Sequence, residues 1–72
     1  MKRLRVERLK RRWSQQRLGF LASVANSDIS RFESGVLRPY PSQAQRLAEV
    51  LGIAPDELLT DVDDGSDGAG AR

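Results

Sequence analysis

Residues 14–35 constrain the fold more than any other part of this chain, because they predict two short helices joined by a tight turn. Ser14 provides a hydroxyl that can cap the start of the first helix. Leu18, Leu21 and Ala22 then recur at i, i+3 and i+4, the spacing of the buried stripe of a short helix. The run 23–25 interrupts this stripe and is expected to form the turn.

The second helix of this pair is predicted to expose a polar edge. Either Asn26 or Ser27 can cap its start, Ile29 and Phe32 form a single inward edge, and Gly35 ends it. Small polar residues followed by an arginine, on an exposed helix, suit hydrogen bonding to base edges in a DNA major groove. The candidate base contacts on this edge are Asn26, Ser27, Ser30 and Arg31.

The same stretch resembles the Xre/Cro/cI family of bacterial and phage helix-turn-helix regulators. The residues that carry the resemblance are Ser14, Gln15, Leu18, Gly19, Val24, Ile29, Ser30, Glu33 and Gly35, followed by Arg38-Pro39, Leu47-Ala48, Leu51-Gly52 and the run 56–59. The resemblance implies an all-α, compact bundle of about five short helices, a lambda-repressor-like DNA-binding domain over residues 1–60. Its DNA-reading helix is expected to run from about Asn26 to Ser34.

Three positions depart from the family pattern. Ser23 stands where the family usually has a turn glycine, and a positive φ costs a non-glycine residue about 1 kcal/mol. Ala25 stands where a Ser or Thr usually caps the reading helix, so we expect the cap to shift to residue 26 or 27. Glu7 replaces an apolar residue in the first helix, for which the sequence predicts a different buried stripe, formed by Val6, Leu9 and Trp13.

Further roles are assigned to polar residues outside the base-reading set. The expected DNA phosphate contacts are Gln15, Ser14, Ser34 and Arg38; a helix start such as that at Gln15 favours anions. The resemblance implies a structural ion pair between Arg8 and Glu33. Phe20 lies off the predicted buried face of its helix, and either packs against a neighbouring helix or is an exposed contact for a partner.

The second half of the chain predicts supporting helices and a tail. Pro41 suits the first position of a fourth helix, and Gly52 suits its end. Pro55 is expected to start a short fifth helix that turns residues 58–59 inward. Residues 61–72 are rich in Gly and Asp and predict a disordered acidic tail.

Composition narrows the class of function. The chain has no Cys and no His, so no disulfide, zinc site or His-based catalysis is expected, and neither an enzyme nor a bound metal or cofactor is predicted. No stretch predicts a membrane span, and we expect a cytoplasmic protein. Residues 1–46 carry eleven Lys or Arg against three acids, a balance of +8, while residues 47–72 carry one Arg against seven acids, a balance of −6. The cationic half is expected to attract a polyanion such as DNA.

The sequence therefore predicts a transcription regulator of repressor or controller type that binds a near-palindromic double-stranded operator as a homodimer. A restriction-modification controller and a phage repressor are equally compatible with it. The alternative from another class is an antitoxin that mainly binds a toxin protein and uses DNA binding for autoregulation. A protein-binding or RNA-binding helical module is a third hypothesis, weakened for RNA because the candidate edge has no aromatic side chain for base stacking.

Overall fold

The computed structural model describes residues 1–62, which form four α-helices and one turn of 3₁₀ helix. The helices are α1 (Arg3–Lys10), α2 (Gln15–Ala22), α3 (Asn26–Ser34) and α4 (Pro41–Leu51), and the 3₁₀ turn spans Pro55–Glu57. The predicted all-α bundle is confirmed, with the short fifth helix reduced to this turn. Within the described residues no helix is both long and apolar enough to cross a bilayer. Of the tail predicted at residues 61–72, residues 63–72 lie outside the described residues.

A single apolar core joins all four helices to the segment after the 3₁₀ turn. Its largest member, Phe32, comes from α3, and Leu58 closes it from the C-terminal side. The buried apolar side chains are Leu4, Leu18, Ala22, Val24, Ile29, Phe32, Leu47, Ala48, Leu51 and Leu58. Because these residues follow helical spacing within the helices, their burial holds α2 against both α3 and α4, and α1 against the same two helices.

Helices α2 and α4 begin and end where the sequence predicts. Ser14 is the N-cap of α2, and its hydroxyl oxygen accepts a hydrogen bond from the Arg17 N–H at 2.9 Å. Pro41 is the first residue of α4, and Gly52 ends it in the left-handed region at φ 71°. The buried face of α2 differs in one position, since Leu21 is exposed and Gly19 is buried beside Leu18 and Ala22.

The predicted orientation of α1 is wrong. The expected stripe was Val6, Leu9 and Trp13. Trp13 does pack against the core, but Val6 is only half-buried, Leu9 is exposed, and the residues that α1 buries are Leu4, Glu7 and Arg8. These three residues follow i, i+3 and i+4, so α1 does turn one face to the core. Two of the three residues on that face are charged. The physical reason is that both charges are paired inside the protein, which offsets the cost of removing them from water.

The buried Glu7 carboxylate links α1 to the end of α4. Arg11 donates to Glu7 Oε1 at 2.8 Å and, through its other terminal nitrogen, to the backbone carbonyl of Leu51 at 2.8 Å. Arg3 donates to Glu7 Oε2 at 2.8 Å, and the Lys10 ammonium lies 3.5 Å from the same oxygen. The Arg11 hydrogen bond, helped by Arg3 and Lys10, lowers the pKa of Glu7 to about 2, while the bond to Glu7 raises the pKa of Arg3.

The start of α1 is held by the C-terminal end of the domain. Helix α1 has no side-chain cap, and its first N–H groups need acceptors. The Arg3 N–H donates to the Thr60 carbonyl at 2.8 Å, and the Leu4 N–H donates to the Leu58 carbonyl at 2.9 Å. The N–H of Val62 donates to the carbonyl of the first residue at 2.8 Å, so ordered pairing continues two residues past the predicted domain boundary.

Candidate nucleic-acid interface

The turn between α2 and α3 is three residues long and tightly closed. Ser23 adopts the left-handed conformation at φ 57°, as the sequence predicts for a residue in the place of a turn glycine. The Val24 N–H donates to the Gly19 carbonyl at 2.8 Å, which closes the end of α2. Gly19 is required for this approach, because a Cβ atom there would collide with the Val24 carbonyl oxygen. The turn therefore fixes how α3 leaves α2.

Helix α3 buries one edge and exposes the other. Ile29 and Phe32 are fully buried, as predicted. The four predicted base-contact residues are all exposed and lie in the first six positions of the helix: Asn26, Ser27, Ser30 and Arg31. At 1.5 Å per residue they cover about 8 Å of the helix axis, a length that fits inside a major groove.

The predicted shift of the α3 cap is wrong. Ala25 is the N-cap residue in an extended conformation, and no side chain caps the helix. Asn26 and Ser27 are the first two helical residues, so their side chains project from the first turn of α3. The cap stays in place because the tight turn at Ser23 sets the backbone entering α3, whatever side chain residue 25 carries.

Arg31 is held only weakly by its own helix. One terminal nitrogen lies 3.3 Å from Asp28 Oδ1, one turn earlier, and 56% of the Arg31 side chain is exposed. Exposed pairs of this kind contribute from nothing to about 1 kcal/mol. The guanidinium can therefore leave Asp28 at little cost and offer a planar pair of donors to another acceptor.

The four predicted phosphate contacts lie in three places: the start of α2, the end of α3 and the loop after it. Ser14 and Gln15 lie together at the start of α2, where Ser14 caps the helix and Gln15 Nε2 donates to Glu33 Oε1 at 3.1 Å. Ser34 is at the far end of α3, with its hydroxyl donating to the Arg31 carbonyl at 3.0 Å. Arg38 is exposed in the loop after α3.

Arg8 and Glu33 form a buried, bidentate ion pair. Arg8 Nε lies 2.6 Å from Glu33 Oε2, and Arg8 Nη2 donates to Oε1 at 3.0 Å. The remaining terminal nitrogen of Arg8 donates to the Trp13 carbonyl at 2.7 Å. With the Gln15 contact, this cluster connects α1, the loop before α2, the start of α2 and the last turn of α3. It holds the predicted phosphate-contacting end of α2 at a fixed position relative to α3.

Two features of the site could not be predicted from the sequence alone. Phe20, for which packing and exposure were both open, is 78% exposed between two shallow grooves; one is lined by Gln16 and Arg17, the other by Gln16 and Asn26. Arg46 of α4 reaches the turn and donates to the last carbonyls of α2. No local pattern indicates this role, because Arg46 is an ordinary exposed residue of an amphipathic helix.

Comparison with known proteins gives one match. The family model described as a helix-turn-helix domain matches residues 2–60, nearly all of the described chain. No curated protein and no solved structure matches the chain significantly.

Proposed function

This chain belongs to the helix-turn-helix domain family, and we propose that it is a non-enzymatic transcription regulator, of Xre/Cro/cI type, that binds double-stranded DNA by sequence in the cytoplasm. Helix α3 enters the major groove, and Asn26, Ser27, Ser30 and Arg31 contact base edges. Ser14, Gln15, Ser34 and Arg38 contact the phosphate backbone on either side. In this role the protein occupies a promoter as a repressor or controller.

The observation that carries this proposal is the exposed edge of α3. That edge is polar along its length and ends in an arginine that only a weak pair restrains. An exposed edge without apolar groups has no packing role in this fold, whereas it matches the donors and acceptors of a major groove. The balance of +8 over residues 1–46 adds the attraction to phosphate that such binding needs.

The protein is further proposed to bind a near-palindromic operator as a homodimer. A groove of about 290 Å³ separates the loop after α3 from the 3₁₀ turn, with Arg38 and Asp56 among its lining residues. Next to it in sequence, Val36 and Tyr40 are 76% and 74% exposed. Apolar exposure beside a groove that carries both charge signs suits a self-complementary interface across a two-fold axis.

A triple substitution on α3 tests the DNA-binding proposal. The variant Ser27→Ala/Ser30→Ala/Arg31→Ala should fold normally, because all three side chains are exposed, and should lose its preference for a selected duplex over random duplex in fluorescence anisotropy. The control is Ser42→Ala/Gln45→Ala on the exposed face of α4, which should bind as the wild type does. Unchanged preference in the α3 variant contradicts the proposal.

The second candidate function is that of an antitoxin that binds a toxin protein. The specific observation in its favour is Phe20, because a largely exposed aromatic side chain between two grooves suits a protein contact. Phe20→Ala separates the two functions. In a regulator it leaves operator affinity unchanged; in an antitoxin it abolishes co-purification of the protein expressed from the neighbouring gene.

A further inference from the structure

The turn that orients α3 has little support from its own residues. Ser23 holds a left-handed conformation that favours glycine, and Ala25 offers no side-chain acceptor to the N–H groups at the start of α3. The hydrogen bond from Val24 to Gly19 is a backbone contact that closes α2 but does not reach α3. The left-handed Ser23, on which the direction of α3 depends, therefore gains from contacts made by other parts of the fold.

Arg46 supplies a contact to this turn from α4. Its Nε donates to the Ala22 carbonyl at 2.9 Å, and one terminal nitrogen lies 3.4 Å from the Ser23 carbonyl. The first is the carbonyl of the last residue of α2 and the second that of its C-cap, and neither has a partner inside that helix. The positive charge also lies at the negative end of the α2 dipole, where it is favourable.

We infer that Arg46 is a positioning residue for DNA reading: by holding the end of α2 and the left-handed Ser23, it acts together with the closed turn to set the direction of α3 in the groove. It does this from α4, without being part of the helix-turn-helix pair itself. The inference rests on the proposed DNA-binding function. In this role Arg46 affects the sequence preference of the protein without itself contacting a base or a phosphate.

A positioning role has a different signature from a phosphate contact. A misdirected α3 loses base contacts, so the cognate sequence suffers more than random DNA. Loss of a phosphate contact weakens binding to all sequences alike and lowers the dependence of log K on log salt by about 1. A purely structural residue changes the melting temperature and neither of these quantities.

The test compares the full chain with three variants on a duplex selected from random sequence. The variants are Arg46→Gln, Arg46→Lys and the control Arg5→Gln, which removes the same charge from an exposed position of α1. Arg46→Gln is expected to lower the ratio of specific to non-specific affinity by about fivefold or more, the equivalent of one weakened base contact. The slope of log K against log salt is expected to be the same for Arg46→Gln as for Arg5→Gln. Arg46→Lys, which keeps one charged donor, is expected to lie between Arg46→Gln and the wild type. An unchanged ratio, or a uniform loss with a lower salt dependence, overturns the inference.

Hydrogen exchange on the DNA-free protein tests the same residue independently of DNA. Arg46→Gln is expected to speed exchange of the Val24 amide, whose hydrogen bond closes the end of α2 beside the Arg46 contacts, relative to Arg5→Gln. Equal exchange in both variants overturns the inference. If the wild type binds all duplexes equally, the proposed function fails, and the exchange result still decides whether Arg46 holds the turn.

Discussion

Arg31 combines exposure with the strongest hydrogen-bonding group on the proposed reading edge. Its guanidinium can donate to O6 and N7 of one guanine at once, and leaving Asp28 costs little. Arg31→Ala is expected to lose about 1 to 3 kcal/mol of binding free energy at one base pair and to relax sequence preference there. Measuring affinity for single-base variants of the selected duplex checks this. A uniform loss over all variants would instead make Arg31 a phosphate contact.

Glu33 is expected to matter for stability rather than for DNA contact. Glu33→Gln leaves the buried Arg8 cation without its charged partner, and the free energy of unfolding is expected to fall by roughly 3 kcal/mol. Urea unfolding measures the change. The control is Asp28→Asn, which alters an exposed pair and the first turn of α3 and should cost less than about 1 kcal/mol. A stable Glu33→Gln protein with altered DNA affinity would place this residue at the interface.

Glu7 is expected to stabilise the folded protein at neutral pH and to lose this effect in acid. Its pKa is about 2 in the folded protein and about 4.3 in an unfolded chain. Because the folded pKa is the lower one, the stabilisation is complete above about pH 4.3 and is lost as the pH falls through about 2. The difference in melting temperature between wild type and Glu7→Gln is therefore expected to shrink over that range. A difference that stays constant from pH 5 to pH 2 would contradict the ion-pair assignment.

At the scale of elements, the α2–α3 turn stores strain that a glycine would release. Ser23→Gly is expected to raise the free energy of unfolding by about 0.5 to 1 kcal/mol, because glycine adopts φ 57° without a steric cost. Urea unfolding again measures it. The matched control is Ser30→Gly inside α3, expected to destabilise by about 0.5 kcal/mol through lower helix propensity. Destabilisation by Ser23→Gly would mean that the Ser23 side chain itself supports the turn.

Helical spacing predicted most elements, and the prediction failed where the buried face of a helix contains paired charges. Apolar residues at helical spacing placed α2 and α3, Pro41 and Gly52 placed the ends of α4, and the departure at Ser23 predicted its left-handed conformation. The orientation of α1 was wrong because its buried face includes Glu7 and Arg8, which an apolar pattern ignores. The bond from Arg46 to the turn joins residues 24 apart in sequence, and nothing in the local pattern of α4 indicates it.

For the candidate site, the sequence predicted the exposed polar edge of α3 but not the contacts that support it; DNA reading by this edge stays a prediction. Asn26, Ser27, Ser30 and Arg31 are exposed on one helix because exposure follows from the positions of Ile29 and Phe32. The shift of the cap to residue 26 or 27 was wrong, since a side chain's capping ability does not decide where a tertiary turn begins the helix. The contact between Gln15 and Glu33 depends on how α2 packs on α3, which one-dimensional spacing does not give.

At the scale of the whole molecule, the distribution of charge and the short length of α3 are consistent with the proposed dimer on DNA. The balance of +8 over residues 1–46 draws that half of the chain toward phosphate, whereas the balance of −6 over residues 47–72 disfavours its contact with DNA. On the proposed function, one α3 helix would contact only a few base pairs, and a second copy would raise the specificity ratio. In the proposed two-fold dimer, the two α3 helices must lie about 34 Å apart, one turn of the duplex, to meet successive major grooves.

Selection of duplexes from a random pool by the purified full chain tests the central claim most directly. The account predicts enrichment of a near-palindrome whose half-sites lie one helical turn apart, bound with a steep salt dependence. It also predicts that the wild type, but not Arg31→Ala, discriminates at one base pair of each half-site. Recovery of unenriched sequence after repeated rounds, with the protein folded throughout, would contradict DNA reading by α3.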